Sequence, residues 1–555
     1  YACGAWTFRY DPGAGGAASV HVAGDFNDWA QSPEDGWRLL RDPDTGWFVG
    51  TWPLESGRYA YKFVVDGQWI ADPQNPRGEP DGFGAVNSVL LANCGEDYTS
   101  GLPPESRPSG FAFDNHTAAG LVTPGHVEEY FAAAERVADE LVDSAPCAVS
   151  DSSCRDAVVA AVATNLFRRS PTDEELALLH ASGSDAAAPA DALRAALWTA
   201  LLSPRFLYRA ELGAADGATY MLRPHELASA LSYFFWGTGP DAALIDAADR
   251  GELDAAGIEV HARRLLAHPR ARRRLGQFAL QWLGVERIAS VDKSPVLHPD
   301  FDAQLRSALA RETSRFFTHV VLDGDGRLAS LLVADYSVGE ERLAQHYQLP
   351  LVDGRLMYRG RRAGVLGHAS VLASYAHSDQ SSPILRGLFV RERLLCQHFG
   401  APPPDAGGVP EVDPNATTRE RFRQHTDNDQ CRSCHQYIDP VGFGLEHFDA
   451  VGRWRDSENG MAIDATGDIT DVERLRDGTS APFTTVPELA AVLSQSGSAH
   501  SCFATQVYRF AMGREETSLD ACGLQALQQQ FAAEGDIREL MVGIAVSEGF
   551  RRRSP

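Results

Sequence analysis

The chain has 555 residues, 44% of them hydrophobic and 9% aromatic, so it is long enough to form several domains with buried cores. Lysine and arginine number 50 against 75 aspartates and glutamates, which gives a net charge of −25. That charge argues against binding to nucleic acid or to anionic membranes. No apolar run approaches the roughly 18 residues that a membrane span needs, so we expect no transmembrane segment.

Residues 1–94 differ in composition and in residue pattern from the rest of the chain. Short runs rich in β-formers, at residues 19–23, 47–52 and 58–65, are separated by Gly, Asp, Asn and Pro. Asp66-Gly67 is a hairpin signal directly after the last of these runs. This rhythm predicts a small antiparallel, immunoglobulin-like β-sandwich.

Four side chains of this region suggest a carbohydrate site: Trp29, Lys62, Trp69 and Asn87. Exposed tryptophans offer flat apolar faces to sugar rings, and lysine and asparagine can hydrogen-bond to hydroxyls. The alternative is that the tryptophans are ordinary sandwich core.

The texts GDFNDW, YAYKFVVDGQWIADP and GAVNSV within residues 17–91 are similar to one known module. They resemble the glycogen-binding, early-set module of starch-branching enzymes and of the β subunit of AMP-activated kinase. Trp29, Lys62, Trp69 and Asn87 stand where that family contacts carbohydrate. The resemblance therefore implies binding to an α-glucan-like polysaccharide.

Residues 95–124, rich in Gly, Pro and Ser, predict a linker or an irregular wrap, and a large helical body follows over residues 125–400. Its first helix is predicted from an apolar stripe at i, i+3, i+4 spacing. That stripe consists of Val127, Tyr130, Phe131, Ala134, Ala138 and Leu141. Further helices are predicted over residues 225–235, 258–267, 270–283 and 301–321.

The helical body contains several distinctive segments without any catalytic spacing: FRRSP at 167–171, LSPRFLY at 202–208, and residues 226–236 and 281–283. We interpret them as helix packing. No G-x-S-x-G, H-E-x-x-H or phosphate loop is present in the chain, so the common hydrolase, zincin and nucleotide-binding classes are not supported. The adjacent residues of His377-Ser378-Asp379 cannot converge on one substrate atom, so they do not predict a triad.

A proline-rich linker, residues 401–415, precedes a domain that we expect over residues 416–555. It contains Cys431-Arg432-Ser433-Cys434-His435, which is the only C-x-x-C-H of the chain. Two thiols at this spacing can form thioethers with the vinyl groups of a haem, and the histidine is then placed to ligate the iron. A redox-active or structural C-x-x-C is the alternative, but no second C-x-x-C completes a zinc site.

The motif predicts one covalently attached haem c, with Cys431 and Cys434 as the thioether residues and His435 as the proximal iron ligand. We expect a short helix over residues 431–437 that ends at Asp439-Pro440, because proline disfavours helix before it. The apolar side chains expected on the macrocycle are Leu445, Phe448 and Trp454. Arg453 and Arg455 are candidates for the haem propionates, with a solvated turn as the alternative.

The sixth iron ligand is left open by the sequence. His425 precedes the motif and Met512 follows it by 77 residues, and Met461 and His447 are further candidates. Core packing is the alternative for Met512. His425 could instead cap a helix or hold a propionate.

Nine cysteines minus the haem pair leave seven. Cys3 and Cys94 bracket the first region, Cys147 lies close to Cys154, and Cys502 lies close to Cys522. Three disulfides in that pattern would leave Cys396 unpaired, although spacing alone does not fix connectivity, and seven buried thiols are the alternative. Disulfides and covalent haem are typical of exported proteins. With Tyr1 read as the start of a mature chain, we expect the periplasm, the outer cell surface or the extracellular space.

Segments of residues 110–555 resemble a modular bacterial family of haem-c proteins built of consecutive domains of unknown function, the planctomycete-type cytochromes. The matching texts are RPHELASALSYFFWGTGPDAALIDAA, RARRRLGQFALQWLG, RLAQHYQLP and GVLGHASVLASYAHSDQSSPILRGLFVRERLL. The resemblance implies a haem-c protein of the cell envelope and favours histidine at position 425. Members often carry leucine where Met512 stands, and no reaction is implied.

Three functions fit these observations. The first is an electron-transfer cytochrome that is anchored at a polysaccharide or envelope surface and serves a redox partner protein. The second is a haem-dependent oxidoreductase, peroxidase-like or oxygenase-like, with an open distal site. The third is a structural or interaction protein stapled by haem. The fold class expected for all three is multidomain and mainly α, with the N-terminal β-sandwich and a cytochrome-c-like helical haem domain at the C-terminal end.

Overall fold

The computed structural model describes residues 5–13, 16–27, 29, 37–41, 46–53, 57–73, 75, 78–81, 85–92, 107–108, 110–117, 120, 122–217, 219–400, 410–423, 429–470, 472 and 480–553. The chain divides into two compact units. The first comprises Tyr1–Pro103, Val122–Val159 and Leu176–Leu202, and the second comprises Pro104–Leu121, Ala160–Glu175 and Ser203–Pro555.

The N-terminal region is an antiparallel β domain, as predicted. Its strands are β1 (Ala5–Tyr10), β2 (Val20–Gly24), β3 (Trp37–Arg41), β4 (Phe48–Pro53), β5 (Gly57–Val65), β6 (Gln68–Ile70), β7 (Gly78–Pro80) and β8 (Val86–Ala92). They pair in the order β1-β4-β3-β2-β5-β8-β7, and β6 pairs with β5. Strand β3 joins the two halves, since Leu39 pairs with β2 while Leu40 pairs with β4.

The core of this domain follows from alternation along β5. Tyr61, Phe63 and Val65 are buried in one apolar cluster, whose other buried members are Phe8, Val20, Val22, Leu39 and Phe48. Neighbouring residues of a strand point to opposite faces, so Lys62 and Val64 lie on the other side of the sheet. The predicted hairpin is confirmed, because Asp66 and Gly67 link β5 to β6 with φ of 49° and 83°.

The remainder of the chain is mostly helical. The helices are α1 (Pro124–Asp143), α2 (Ser152–Phe167), α3 (Asp173–Ala181), α4 (Pro189–Leu201), α5 (Pro204–Leu207), α6 (Pro224–Phe235), α7 (Ala242–Asp249), α8 (Ala255–Ala267), α9 (Arg270–Trp282), α10 (Ala303–Thr318), α11 (Leu328–Val333), α12 (Glu341–Tyr347), α13 (Ala369–Ser374), α14 (Pro383–Leu388), α15 (Thr418–Phe422), α16 (Asp429–Phe443), α17 (Val486–Gln495), α18 (Gly497–Met512), α19 (Ala521–Glu534), α20 (Ile537–Val546) and α21 (Glu548–Arg551). Among the described residues, no helix is long and apolar enough to cross a membrane.

Short strands interrupt the helical part: β9 (Ala214–Asp216), β10 (Thr219–Met221), β11 (Tyr336–Val338), β12 (Leu351–Val352), β13 (Arg355–Met357), β14 (Ser457–Glu458), β15 (Met461–Ala462), β16 (Gly467–Thr470), β17 (Ser480–Phe483) and β18 (Arg552–Arg553). Each pairs with an antiparallel neighbour in a sheet of two or three strands. The first of these sheets, β18-β10-β9, connects the end of the chain to the segment before α6.

The helices predicted from periodicity are confirmed, with one correction to a buried face. α6, α8, α9 and α10 begin and end within a few residues of the predicted limits. In α1, Ala134 and Ala138 of the predicted stripe are buried, but Val127 and Phe131 are 41% and 46% exposed. The predicted buried stripe was therefore too wide. The small alanines are buried, whereas the large side chains near the start of the helix remain exposed.

One hydrophobic core runs through the second unit. It contains Trp282 and Phe317 from before the proline-rich segment and Phe503 and Phe510 from after it. The ring of Phe503 lies 4.9 Å from that of Trp282, in an edge-to-face arrangement. The helical body and the C-terminal region thus bury apolar surface against each other, while the exact domain limits drawn from the sequence stay predictions.

Two disulfides lie among the described residues. Cys147–Cys154 joins neighbours in the sequence, as expected. The expected pairing of Cys502 with Cys522 is wrong: Cys502 pairs with Cys396 across 106 residues, and Cys522 is an exposed free thiol. Cys502 faces the core from α18, whereas Cys522 is on the outer face of α19, so short spacing in the sequence did not bring these two together. Cys3 and Cys94 lie outside the described residues.

The second unit also buries an ionisable network. Glu312 is fully buried, and the hydroxyl of Tyr347 donates a hydrogen bond to its Oε2. The Arg362 guanidinium lies 4.2 Å from the centre of the Tyr347 ring and donates to backbone carbonyls. Burial raises the pKa of Glu312 from its ordinary 4.5 to about 7.

This raised pKa predicts a pH dependence of stability. In the unfolded state Glu312 loses its proton near pH 4.5, whereas in the folded state it keeps the proton to about pH 7. The free energy of unfolding therefore falls as pH rises from about 4.5 to 7, and the full loss of stability is reached above that range. We expect Glu312→Gln, which keeps an acceptor for Tyr347, to remove a penalty of about 3 kcal/mol at pH 8 and to change little at pH 4. Urea denaturation at both pH values measures this, with the exposed Glu534→Gln as control. Equal behaviour of the two variants would contradict the assignment.

Candidate functional sites

The C-x-x-C-H motif lies on helix α16. Cys431 and Cys434 are both half-buried and belong to no disulfide. Residues three apart on a helix lie on the same side, so the two thiols are neighbours on one face. His435 follows on the same helix with its side chain 22% exposed. The motif therefore presents two thiols and an imidazole from a single rigid element.

The helix does not end where the sequence predicted. α16 continues through Pro440 to Phe443. Ile438 and Val441 are buried, and a Cβ added at Gly442 would lie 1.8 Å from the carbonyl oxygen of Pro383, the first residue of α14. Close packing on α14 thus offsets the roughly 3 kcal/mol that an interior proline costs a helix.

Asp439 fixes the orientation of His435. The Nδ1–H of His435 donates to Oδ1 of Asp439 across 2.8 Å, one helical turn apart. The Asp439 carboxyl is 1% exposed, and its Oδ2 has no hydrogen-bond partner among the described residues. With Nδ1 engaged by a carboxylate, Nε2 is the ring nitrogen that would bind a metal.

A cavity of about 550 Å³ adjoins this part of α16. Asp439, Pro440 and Phe443 line one side, and Arg419 and Arg423 belong to the rest of the wall. The Arg419 guanidinium lies 4.5 Å from the centre of the Phe443 ring. Besides Pro440 and Phe443, the wall carries these two arginines and four carboxylates, those of Glu420, Asp439, Asp464 and Asp468. The arginines are the groups of this wall that could pair with carboxylates of a flat apolar ligand.

The arginines chosen from the sequence are engaged elsewhere. Arg455 pairs with Glu446 at 3.0 Å and with Glu458 at 3.3 Å, and Arg453 pairs with Asp300 at 3.2 Å. Leu445 and Phe448 are buried in the large core, and the Trp454 ring stacks on His447 at 4.5 Å. Their assignment to a haem stays a prediction.

The described candidates for the sixth iron ligand lie on different elements. Met512 ends α18 and is 2% exposed within the large core. His447 stacks on a tryptophan, and its Nδ1–H donates to the Arg455 carbonyl. Met461 belongs to β15, and His425 lies outside the described residues. The three described candidates, Met512, His447 and Met461, thus lie on different parts of the second unit, and none of these contacts involves His435 or places one of them as an iron ligand.

Three of the four carbohydrate candidates lie on one face of the β domain. Tyr61 pairs with Ser88 and Val64 pairs with Trp69, which places Lys62, Trp69 and Asn87 on the sheet face opposite the core. Lys62 is buried, however, and its ammonium is 2.6 Å from Asp81.

The tryptophans of this face form a pair. The rings of Trp29 and Trp69 lie 6.2 Å apart at 33°, and Trp69 is 43% exposed. Trp29 has a positive φ of 56°, and its Nε1–H donates to Asp25, which holds the ring in place. Two rings fixed side by side at the surface form a platform on which sugar rings can stack.

Two residues of these sites were missed by sequence reasoning. Asp439 could have been found, because it stands four residues after His435, at helical spacing. Asp81 could not, since no local pattern pairs it with Lys62. Among the described residues, no group of three His, Cys, Asp or Glu side chains could hold a bare metal ion.

The chain matches six families in succession. Five are described as proteins of unknown function: DUF1587 at residues 85–143, DUF1595 at 154–211, DUF1592 at 222–349, DUF1588 at 362–458 and DUF1585 at 479–550. Residues 7–95 match the glycogen recognition site of AMP-activated protein kinase. Five consecutive modules of this kind behind a region similar to a glycogen recognition site are the arrangement that the resemblance to planctomycete-type cytochromes predicted.

The curated relatives match over short stretches of this chain and are subunits of one kinase. The β-1 subunit of 5'-AMP-activated protein kinase is 37% identical over 76 residues in Sus scrofa and in Homo sapiens, and the β-2 subunit of Mus musculus is 32% identical over 75. Each match covers 14% of this chain and between 25% and 56% of the relative. The DUF1588 match, by contrast, contains Cys431, Cys434 and His435.

Proposed function

We propose that this chain is an exported monohaem c-type cytochrome that transfers electrons at a polysaccharide or cell-envelope surface. The observation that carries the proposal is the motif helix: two free thiols on one face, followed by a histidine whose Nδ1 is held by a buried carboxylate. Cys431 and Cys434 would attach the haem, and Nε2 of His435 would ligate its iron, which supplies the one-electron chemistry. Location outside the cytoplasm, and a redox partner protein, belong to the same proposal.

The residues present fit such a group. Asp439 holds the imidazole of His435 in one tautomer. Its Oδ2 has no hydrogen-bond partner among the described residues, and positive charge on an iron-bound imidazole would stabilise this buried oxygen. In the neighbouring cavity, Pro440 and Phe443 could contact a porphyrin edge, and Arg419 and Arg423 could pair with propionates, while four carboxylates also line the space. Arg423 lines this cavity, so we add it to Arg453 and Arg455 as a candidate for contact with a haem propionate.

We expect Asp439→Asn to raise the reduction potential of the attached haem. The carboxylate stabilises the more positively charged ferric state, so removing its charge favours reduction. The expected rise is of the order of 60 mV, since about 1.4 kcal/mol corresponds to 59 mV for a one-electron couple. Potentiometric titration measures it. The matched control is Asp468→Asn, which removes the same charge from the same cavity without touching His435. Equal shifts in both variants would contradict a role for the hydrogen bond.

A second function is favoured by the same hydrogen bond. A carboxylate that holds the proximal histidine by a hydrogen bond also suits a haem oxidoreductase with an exchangeable distal site. The ferric absorption spectrum with added cyanide separates the two. A low-spin spectrum that cyanide leaves unchanged supports the electron carrier, whereas ready binding supports the oxidoreductase.

The β domain is proposed to bind an α-glucan-like polysaccharide. The ring pair of Trp29 and Trp69 carries this part, together with the likeness of residues 7–95 to the glycogen recognition site. Asn87 lies on the same face and can add hydrogen bonds to sugar hydroxyls, whereas buried Lys62 mainly anchors Asp81.

We expect Trp69→Ala and Trp29→Ala each to weaken retention on insoluble α-glucan at least about tenfold, because each removes one stacking surface. Co-sedimentation with insoluble starch measures retention. The control is Leu40→Ala, which deletes a side chain that is 70% exposed elsewhere on the same domain. If the unchanged chain itself fails to sediment with starch, the α-glucan assignment is wrong.

A further inference from the structure

Three segments that the proposed cytochrome function does not use meet around one cavity of the second unit. Residues 167–169, 205–212 and 223–229 line a space of about 230 Å³. The lining contains five arginines and one histidine: Arg168, Arg169, Arg205, Arg209, Arg223 and His225. Its one carboxylate is Glu226. In a chain of net charge −25, this is a local concentration of positive charge.

Nearby carboxylates neutralise only part of this charge. Glu226 accepts from the backbone N–H groups of Leu212, Gly213 and Arg223, at 3.2, 3.0 and 2.9 Å, so its oxygens are committed to the main chain. Glu175 pairs with both Arg169 and Arg205. One carboxylate therefore serves two guanidinium groups.

Arg168 and Arg223 carry charges that no carboxylate matches in the described part of the chain. The guanidinium of Arg168 is buried and donates to the backbone carbonyls of Arg205 and Phe206 and to the hydroxyl of Tyr233. All of these acceptors are neutral. Arg209 lies over the same Tyr233 ring, 5.1 Å from its centre, and has one carboxylate contact, to Glu211 at 3.2 Å.

A buried hydroxyl in the same cavity lacks a partner. Ser229, on α6, is 4% exposed and lines the space, and its Oγ makes no hydrogen bond within the described residues. Buried hydroxyls ordinarily have a partner. An oxygen of a bound anion would accept this hydrogen while it also receives N–H groups from arginine.

We propose that this cavity binds a small organic anion by its oxyanion group, with Arg223 and Arg209 as the charged donors and Ser229 as the neutral one. Arg168 is a fixed positive charge behind them. The rim includes Tyr208 and Leu212, which are 51% and 69% exposed and offer apolar contact to the body of the ligand. The fork of a guanidinium matches the two oxygens of a carboxylate.

Isothermal titration calorimetry of the full chain with benzoate, acetate and sulfate at low ionic strength, with chloride as the reference, tests the site. We expect benzoate to bind at least about tenfold more tightly than chloride and more tightly than acetate. Arg223→Gln should weaken benzoate binding about tenfold and Ser229→Ala several-fold. Both positions can be changed without removing a contact that holds the fold, because Arg223 is exposed and the Ser229 hydroxyl is unpaired.

The matched control is Arg273→Gln, which removes the same charge from an exposed position on α9 and should bind benzoate like the unchanged chain. The proposal is overturned if no probe binds more tightly than chloride, or if the variants at 223 and 273 behave alike. Equal binding of benzoate and acetate would overturn the part assigned to the apolar rim. Sulfate binding that Arg223→Gln abolishes would support the oxyanion contact itself.

Discussion

Replacing Cys431 and Cys434 together by alanine is expected to abolish covalent haem attachment completely. The two thiols of α16 are the only groups of the motif that can form thioethers, and His435 alone would hold haem reversibly. Haem staining of a denaturing gel, supported by intact mass, measures the loss. Single replacements are expected to leave a weaker band, because one thioether can still form.

A third free thiol among the described residues provides the control for this experiment. Cys522 is exposed on α19, outside any motif, so Cys522→Ala removes a thiol without touching α16. We expect this variant to stain like the unchanged chain. Staining that survives the double replacement, or that is lost with Cys522→Ala, would contradict the assignment of the attachment residues.

Removing the long-range disulfide is expected to produce the largest loss of stability. Cys396–Cys502 closes a loop of 106 residues, and a crosslink of that length restricts the unfolded chain by about 4–5 kcal/mol. Cys147–Cys154, with a separation of 7, is expected to contribute about half as much. Urea denaturation of the two double serine variants measures the difference.

Peptide mapping without reduction checks the pairing independently. A crosslinked peptide that contains Cys396 and Cys502 is expected, and alkylation should label Cys522 without prior reduction. A crosslink between Cys502 and Cys522, or a loss of stability no greater than for the short-range pair, would contradict the structure.

Local patterns predicted the elements of this fold well. The run of β-formers at residues 58–65 and the Asp66-Gly67 turn were sufficient for β5 and its hairpin, because both depend on short-range geometry. Apolar periodicity likewise predicted α8 and α9, whose buried faces repeat at helical spacing.

The wrong predictions concern features that depend on contacts between residues distant in the sequence. The packing of Gly442 on Pro383 keeps Pro440 inside a helix that proline should have ended. The partner of Cys502 is 106 residues away and could not be selected from spacing. The arginines around Ser229 come from three separate segments, so only the fold shows that they share a cavity.

The candidate haem site was predictable only in its covalent part. Cys431, Cys434 and His435 are recognisable because thioether attachment needs a fixed local spacing. The helical spacing of Asp439 from His435 is visible in the sequence, whereas its burial, which makes it an orienting group, depends on tertiary packing. A sixth ligand depends on tertiary contacts, and the side chains proposed for it lie on different elements or outside the described residues.

Acid–acetone extraction of the purified full chain, produced in a host that attaches haem c, tests the central claim most directly. The pyridine haemochrome spectrum of the protein pellet then gives the amount and type of haem that remains. The proposed function predicts one haem c per chain in the pellet, with Cys431 and Cys434 protected from alkylation. Haem that passes entirely into the acetone, or an absence of haem with both thiols open to alkylation, would contradict it.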